Sequence, residues 1–132
     1  MNRSLADVVP VTESSQKGTN SYYHIALDDL GGALAFFKEE GARICMISGL
    51  DARTHLEVLY HFAIWGNIHT LIISLPYDKP DVPTITDYFD AAILYERELI
   101  GLLGINVIGI PDARPLELPP KYTDPIPPLR RA

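Results

Sequence analysis

The sequence predicts an α+β domain: a small mixed or antiparallel sheet with a central hairpin, covered by two helices and followed by an extended Pro-rich tail. Three observations carry this. Leu56, Val58, Tyr60, Phe62 and Ile64 alternate with Glu57, His61 and Ala63, ahead of a Gly66-Asn67 turn and the returning strand Ile68 to Leu75. That is the period of a half-buried strand and a turn that hairpins favour. Two segments, one either side of the hairpin, space their apolar residues as helices do. From Pro111 onward seven prolines exclude helix or central strand.

The elements follow in order. Residues 1–20 are polar, rich in Ser and Thr, and read as a flexible N-terminal arm. Tyr22 to Leu27 is a short strand. Asp28 has N-cap chemistry, Leu30, Leu34 and Phe37 form one stripe, and Gly41 is a natural stop. Arg43 to Ser48 reads as a buried strand. Pairing Trp65 with Ile68 sets Phe62 against Leu71 and Tyr60 against Ile73. The apolar hairpin face then needs a cover, most simply helices. Pro76 to Pro83 forms a loop. Thr84 and Asp87 have capping-box spacing and open a second helix over Asp87 to Leu103. Gly104 ends it, and Asn106 to Ile110 is extended. This gives an arm at 1–20, a domain at 21–118 and a Pro-rich extended tail at 119–132.

Composition narrows the function. With 47% hydrophobic and 21% charged residues the chain can build a real core. A formal charge of −6 argues against nucleic acid as a partner and against acidic lipid. The single cysteine, Cys45, allows no internal disulfide and fits a reducing compartment. No run approaches the ~18 apolar residues of a membrane span, and Met1 to Asn20 lacks a signal-peptide core. A cytoplasmic location is expected, with any membrane contact made through partners.

Reactive chemistry is sparse. No phosphate-cradling loop or nucleophile elbow occurs. The four histidines lack metal-ligand spacing. His61 and His69 fall on opposite faces of the hairpin, and His55 and His61 stand ~20 Å apart along a strand. Cys45, in an apolar strand, is expected to be an inert small hydrophobe. No catalytic, cofactor-binding or metal site is expected on this chain.

The second helix is the exception. Around Glu96 lie Phe89, Ala92, Ile93, Leu99, Ile100 and Leu103; around Glu98 lie Ala91, Leu94, Tyr95 and Leu102. Only the line Asp90, Arg97, Gly101, Gly104 is polar or small. Such a helix is normally buried on several sides, which suggests contact with another chain. An alternative reading takes Glu96, Glu98 and Asp112 as acid–base groups of a free-standing small enzyme or of an adaptor with the same fold. Structural ion pairs and cap bonds are the simpler explanation, since nothing supplies a nucleophile.

Tyr95-Glu96-Arg97-Glu98, Gly104-Ile105, Gly109, Pro111-Asp112 and Arg114 together resemble the signature of the 30-kDa subunit of respiratory complex I. That family includes counterparts in energy-converting, membrane-bound nickel–iron hydrogenases. Thr84, Asp87 and Phe89 fit upstream, and the likeness covers Tyr22 to Leu118. Gly101, Ile110 and Pro115 depart from it, where the family usually has an acidic residue, a histidine and a second basic residue. The resemblance implies a scaffold subunit that binds no cofactor itself. It would pack beside a large subunit carrying the NiFe or quinone site and an Fe–S subunit, peripheral on the inner face of the cell membrane. Tyr95, Glu96, Arg97, Glu98, Gly104, Pro111, Asp112 and Arg114 are then the partner-binding residues. The compact chain favours a hydrogenase-type complex.

Overall fold

The computed structural model describes residues 4–111. Seven strands and two helices follow one another. They are β1 (Glu13–Lys17), β2 (Asn20–His24), α1 (Leu30–Glu39), β3 (Arg43–Asp51), β4 (His55–Ile64), β5 (Asn67–Pro76), β6 (Asp81–Pro83), α2 (Ile93–Leu103) and β7 (Asn106–Ile108). Five strands form one sheet in the order β1-β2-β5-β4-β3, and β6 pairs with β7 separately. All neighbours in the large sheet are antiparallel except β2 and β5. This is the mixed α+β sheet that the sequence predicts.

The core lies on one face of that sheet. Leu56, Val58, Tyr60, Phe62 and Ile64 of β4 alternate with half-buried residues and meet Leu71, Ile73 and Leu75 of β5. Leu30, Ala33, Leu34, Phe36 and Phe37 of α1 close over them, together with Leu99 and Leu103 of α2. Phe37 stacks on Phe62 at 4.6 Å between centroids, and Phe62 in turn meets Phe89 at 5.2 Å. Each buried ring or branched aliphatic side chain stabilises the fold by roughly 1.5–3 kcal/mol. The opposite face carries Met46, Ser48 and Leu50 of β3, Leu59 and His61 of β4, and Thr70 and Ile72 of β5, with no helix over it among the described residues.

Several sequence expectations are corrected. The hairpin register is displaced by two residues: Ile64 pairs with Asn67, Phe62 with His69 and Tyr60 with Leu71. The turn residues are Trp65 (φ 54°) and Gly66 (φ 77°), because a two-residue hairpin turn of this hand needs both central residues left-handed. Trp65 tolerates that conformation while packing edge-on against Phe36 and His69. A shift of two leaves every side chain on its expected face.

The segment expected as an arm holds a 3-10 turn at Leu5–Asp7 and the edge strand β1. Leu5 and Val9 are buried in the core cluster, with a Val9 methyl close enough to touch a Cβ added at Gly32. The β3 segment, expected to be buried, is an edge strand. Its ladder is irregular between Ile44 and Met46, and Cys45 between them is exposed rather than packed. The second helix starts later than expected. Tyr88 and Phe89 N–H both bond to the Ile85 carbonyl, and only a 3-10 turn at Asp90–Ala92 leads into α2. At the far end Gly104 is left-handed (φ 69°) and Ile105 is buried, as its sequence chemistry requires. The Pro-rich tail at 119–132 lies outside the described residues.

Gly49 sets how close α2 comes to the sheet. A Cβ added there would lie 2.1 Å from Leu103 Cδ1 and 3.1 Å from Leu99 Cδ2. Gly49→Val is therefore expected to destabilise the domain by about 1–3 kcal/mol in urea titration. Gly31, in the first turn of α1, has open space around it. Gly31→Ala should instead stabilise by about 0.5–1 kcal/mol, by restricting the unfolded chain and improving helix propensity.

Candidate docking site around the Tyr95–Pro111 segment

One turn of α2 decides what the charged motif does. Glu96, Leu99 and Leu103 face the sheet and are buried, whereas Leu94 and Glu98 point to solvent. Residues 96 and 98 project from widely separated sides of a helix. Tyr95 and Arg97 are half-buried, and Gly104 and Pro111 are exposed. Asp112 and Arg114 lie outside the described residues. Of the residues the motif supplied for partner contact, Glu96 is corrected: its side chain is 1% exposed and turned into the domain. The reason is the apolar ring Phe89, Ala92, Leu99 and Leu103, which places residue 96 on the same inward stripe.

A carboxylate this deep needs donors. Thr84 Oγ1 donates to Glu96 Oε1 at 2.6 Å, and the Ile85 backbone N–H donates to Oε2 at 2.8 Å. Thr84 Oγ1 also receives the Thr86 N–H at 3.2 Å, so the loop before α2 folds around one hydroxyl. Burial pushes the Glu96 pKa up, and the Thr84 and Ile85 hydrogen bonds partly offset that rise. The fully buried Tyr60 hydroxyl has no hydrogen-bond partner, and its pKa is pushed up by burial and then by the Glu96 charge.

Sequence reading singles out Thr84 as a helix cap; its partner is instead Glu96, twelve residues away. Tyr60 and Ile85 escape it as site residues because both look like ordinary core. The available signal is the placement of Glu96 at the centre of an apolar stripe, which demands donors from another segment.

The remaining polar groups are dispersed. His61 Nε2 meets Ser48 Oγ and its Nδ1 meets Thr70 Oγ1, both at 2.9 Å, on the open sheet face. His69 Nδ1 meets the Tyr23 hydroxyl at 2.9 Å on the covered face. The two rings lie on opposite faces, as expected from the alternation. Asp51, at the end of β3, accepts from the Tyr77 hydroxyl and the Arg53 N–H. Among the described residues no three His, Cys, Asp or Glu side chains are grouped to hold a metal. No helix among them is long and apolar enough to cross a membrane.

Fold and site together define a two-layer α+β packing domain whose charged motif anchors its own second helix. The chain belongs to the family described as the 30-kDa subunit of the respiratory-chain NADH dehydrogenase, whose model matches residues 5–132. A subunit of the F420H2 dehydrogenase of Methanosarcina mazei is 35% identical over 80 residues, covering 58% of this chain and 51% of that protein. The membrane-bound hydrogenase subunit beta of Pyrococcus furiosus is 36% identical over 58 residues, 44% of this chain and 34% of the relative. This chain thus spans about half, or less, of the length of these relatives. Among solved structures, a trypsin-resistant fragment of Nqo5 superposes with a TM-score of 0.69 at 24% identity, covering 76% of this chain and 88% of the fragment. A chain of the archaeal membrane-bound sulfane sulfur reductase superposes with a TM-score of 0.74 at 21% identity, covering 92% of this chain and 74% of that one. Both share the fold.

Glu96 gives a pH-dependent test. Its folded pKa lies above the ordinary 4.5. Its contribution to stability is therefore complete below that value and is lost as the pH rises through the folded pKa. Glu96→Gln should flatten this dependence in melting curves recorded from pH 4 upward, while Glu96→Ala, which strands the Ile85 N–H, should cost about 1–3 kcal/mol. His61 works in the opposite sense. Burial lowers its pKa below 6.5, so its contribution is complete above 6.5 and is lost as the pH falls through the depressed folded value. His61→Gln should reduce the loss of thermal stability on acidification below that point.

Proposed function

We propose that this chain is a non-catalytic scaffold subunit of a membrane-attached, energy-converting hydrogenase or a related complex I-like oxidoreductase. The observation that carries the reading is the family match over residues 5–132. Relatives with hydrogenase and dehydrogenase subunit names support the class. The geometry is compatible with it. Glu96, the deepest acid of the motif, has both oxygens engaged in holding the Thr84–Ile85 loop, and Glu98 projects from another side of the helix. In this reading the chain docks against a large subunit bearing a NiFe or quinone site, next to an Fe–S subunit. It holds no cofactor itself and is peripheral to the membrane. Leu94, 57% exposed, lies with Glu98 and Gly101 on the outward side of α2 and offers apolar surface to such a partner.

The test is purification of the tagged full chain from its own cells in mild detergent, with mass spectrometry and metal analysis. A large subunit and an Fe–S subunit should be recovered in near-equal amounts, with iron in the complex and none following the chain after dissociation. Nickel in the complex would identify the hydrogenase type. Recovery of the chain alone, or turnover by the isolated chain, would defeat the reading.

A further inference from the structure

One cavity contains an unmet polar demand. It measures about 320 Å³ and is walled by Leu5 of the N-terminal turn, Tyr23 of β2, Phe36 and Phe37 of α1, Trp65 of the hairpin turn and His69 of β5. Five of these six side chains are aromatic rings, and no charged side chain among the described residues lines it. The volume reaches the lower end of small-molecule sites, roughly 300–1,000 Å³, and is about twice the ~150 Å³ of an apolar cavity that holds benzene.

His69 makes that demand. It is 7% exposed and its Nδ1 meets the Tyr23 hydroxyl at 2.9 Å, but its Nε2 is buried with no hydrogen-bond partner. On the open face of the same hairpin, His61 has both ring nitrogens bonded. Burial lowers the His69 pKa below 6.5, so near neutral pH the ring holds a single N–H. The Tyr23 hydroxyl meets no other acceptor among the described residues, so it donates to Nδ1 and the ring proton sits on Nε2. Nε2 is then a donor in the cavity wall that lacks an acceptor. Trp65 is a second, independent feature. Its backbone is left-handed (φ 54°), which a bulky residue rarely adopts, and strain of this kind collects at binding sites. Its ring, 51% exposed, stands perpendicular to His69 at 5.2 Å between centroids.

We infer that this cavity binds an uncharged, flat aromatic molecule of one ring that bears a carbonyl oxygen. Phe36, Phe37 and Trp65 supply aromatic walls for the ligand ring, and the oxygen accepts the proton on His69 Nε2. A charged ligand is disfavoured because no wall residue pairs with it. A purely apolar ligand would leave Nε2 buried and unmet. Reaching Nε2 takes the turning of a neighbouring ring, and Trp65, the most exposed of the six wall residues, has the room to turn. The inference stands apart from the scaffold reading, which assigns no ligand to this chain.

The test titrates the full, nitrogen-15-labelled chain with acetophenone and follows the indole N–H of Trp65, the one tryptophan in the sequence, by NMR. The signal should move and saturate. Ethylbenzene, the same ring without the oxygen, should bind about tenfold more weakly, and benzoate, which adds a charge, should leave the signal unmoved. His69→Phe keeps an aromatic wall and removes Nε2, so it should abolish the preference for acetophenone over ethylbenzene. The wild-type chain gives a readout that needs no variant: the His69 Nε2 resonance should shift with acetophenone and stay in place with ethylbenzene. Equal affinity of the wild type for acetophenone and ethylbenzene overturns the inference, as does a Trp65 signal that neither moves or binding of benzoate. Nuclear Overhauser contacts from the His69 ring to residues 1–3 or 112–132 overturn it too, because the chain would then fill its own cavity. None of these results touches the scaffold reading, which stands or falls on recovery of partner subunits.

Discussion

A carboxylate sealed from water has to find hydrogen-bond donors inside the protein, and Glu96 finds them in a segment that has no regular structure of its own. Thr84 and Ile85 come from the loop between β6 and α2, and their bonds to Glu96 fix where that loop turns. The loop in turn delivers Ile85 and Phe89 into the core and sets the start of α2 at the 3-10 turn. α2 then returns the chain through Gly104 to β7, which pairs with β6 at the base of the same loop. The second half of the domain closes on itself through this one acid. Removing its donors would leave the carboxyl group without partners in a hydrocarbon environment.

Much of this could be read before any coordinates. Alternation in β4 gave the correct buried face, and helical spacing gave α1 and α2. Chemistry at Gly41 and Gly104 gave the ends of those helices. The family signature in the Tyr95–Arg114 segment agrees with the match over residues 5–132. What escaped was set by contacts distant in sequence. Leu5 and Val9 sit in a polar stretch yet join the core, where Gly32 of α1 leaves room for a Val9 methyl. β3 looks buried because five of its nine residues are apolar or sulfur-bearing, yet at the sheet edge only Ile47 of these is buried, and Cys45, Met46 and Leu50 are exposed. Propensity favours Gly66-Asn67 as the hairpin turn. Trp65 and Gly66 form it instead, one residue earlier, with Trp65 packed edge-on against Phe36 and His69. Thr84 has capping chemistry, but the partner for its hydroxyl is the buried acid, which no local pattern specifies.

The arrangement divides the charged motif between two sides of α2. Inward residues such as Glu96 hold the domain together, and outward residues, among them Leu94 and Glu98, face solvent. The open face of the sheet follows the same logic. Its central histidine has both ring nitrogens engaged by Ser48 and Thr70, so the polar atoms at its centre are satisfied within the sheet.

The parallel pairing of β2 with β5 also orders the events of synthesis. Residues 20–24 leave the ribosome well before residues 68–72, with which they pair. Until then the β1–β2 ribbon has only its own ladder, made of polar and half-buried residues, and a two-stranded ribbon of that kind is marginal in water. The β3–β4–β5 meander is contiguous in sequence and closes only short loops, whereas seating β2 closes a loop that contains α1 and two whole strands. The N-terminal ribbon is thus a latecomer to its own sheet, and any nascent chain shorter than about β5 carries it unpaired.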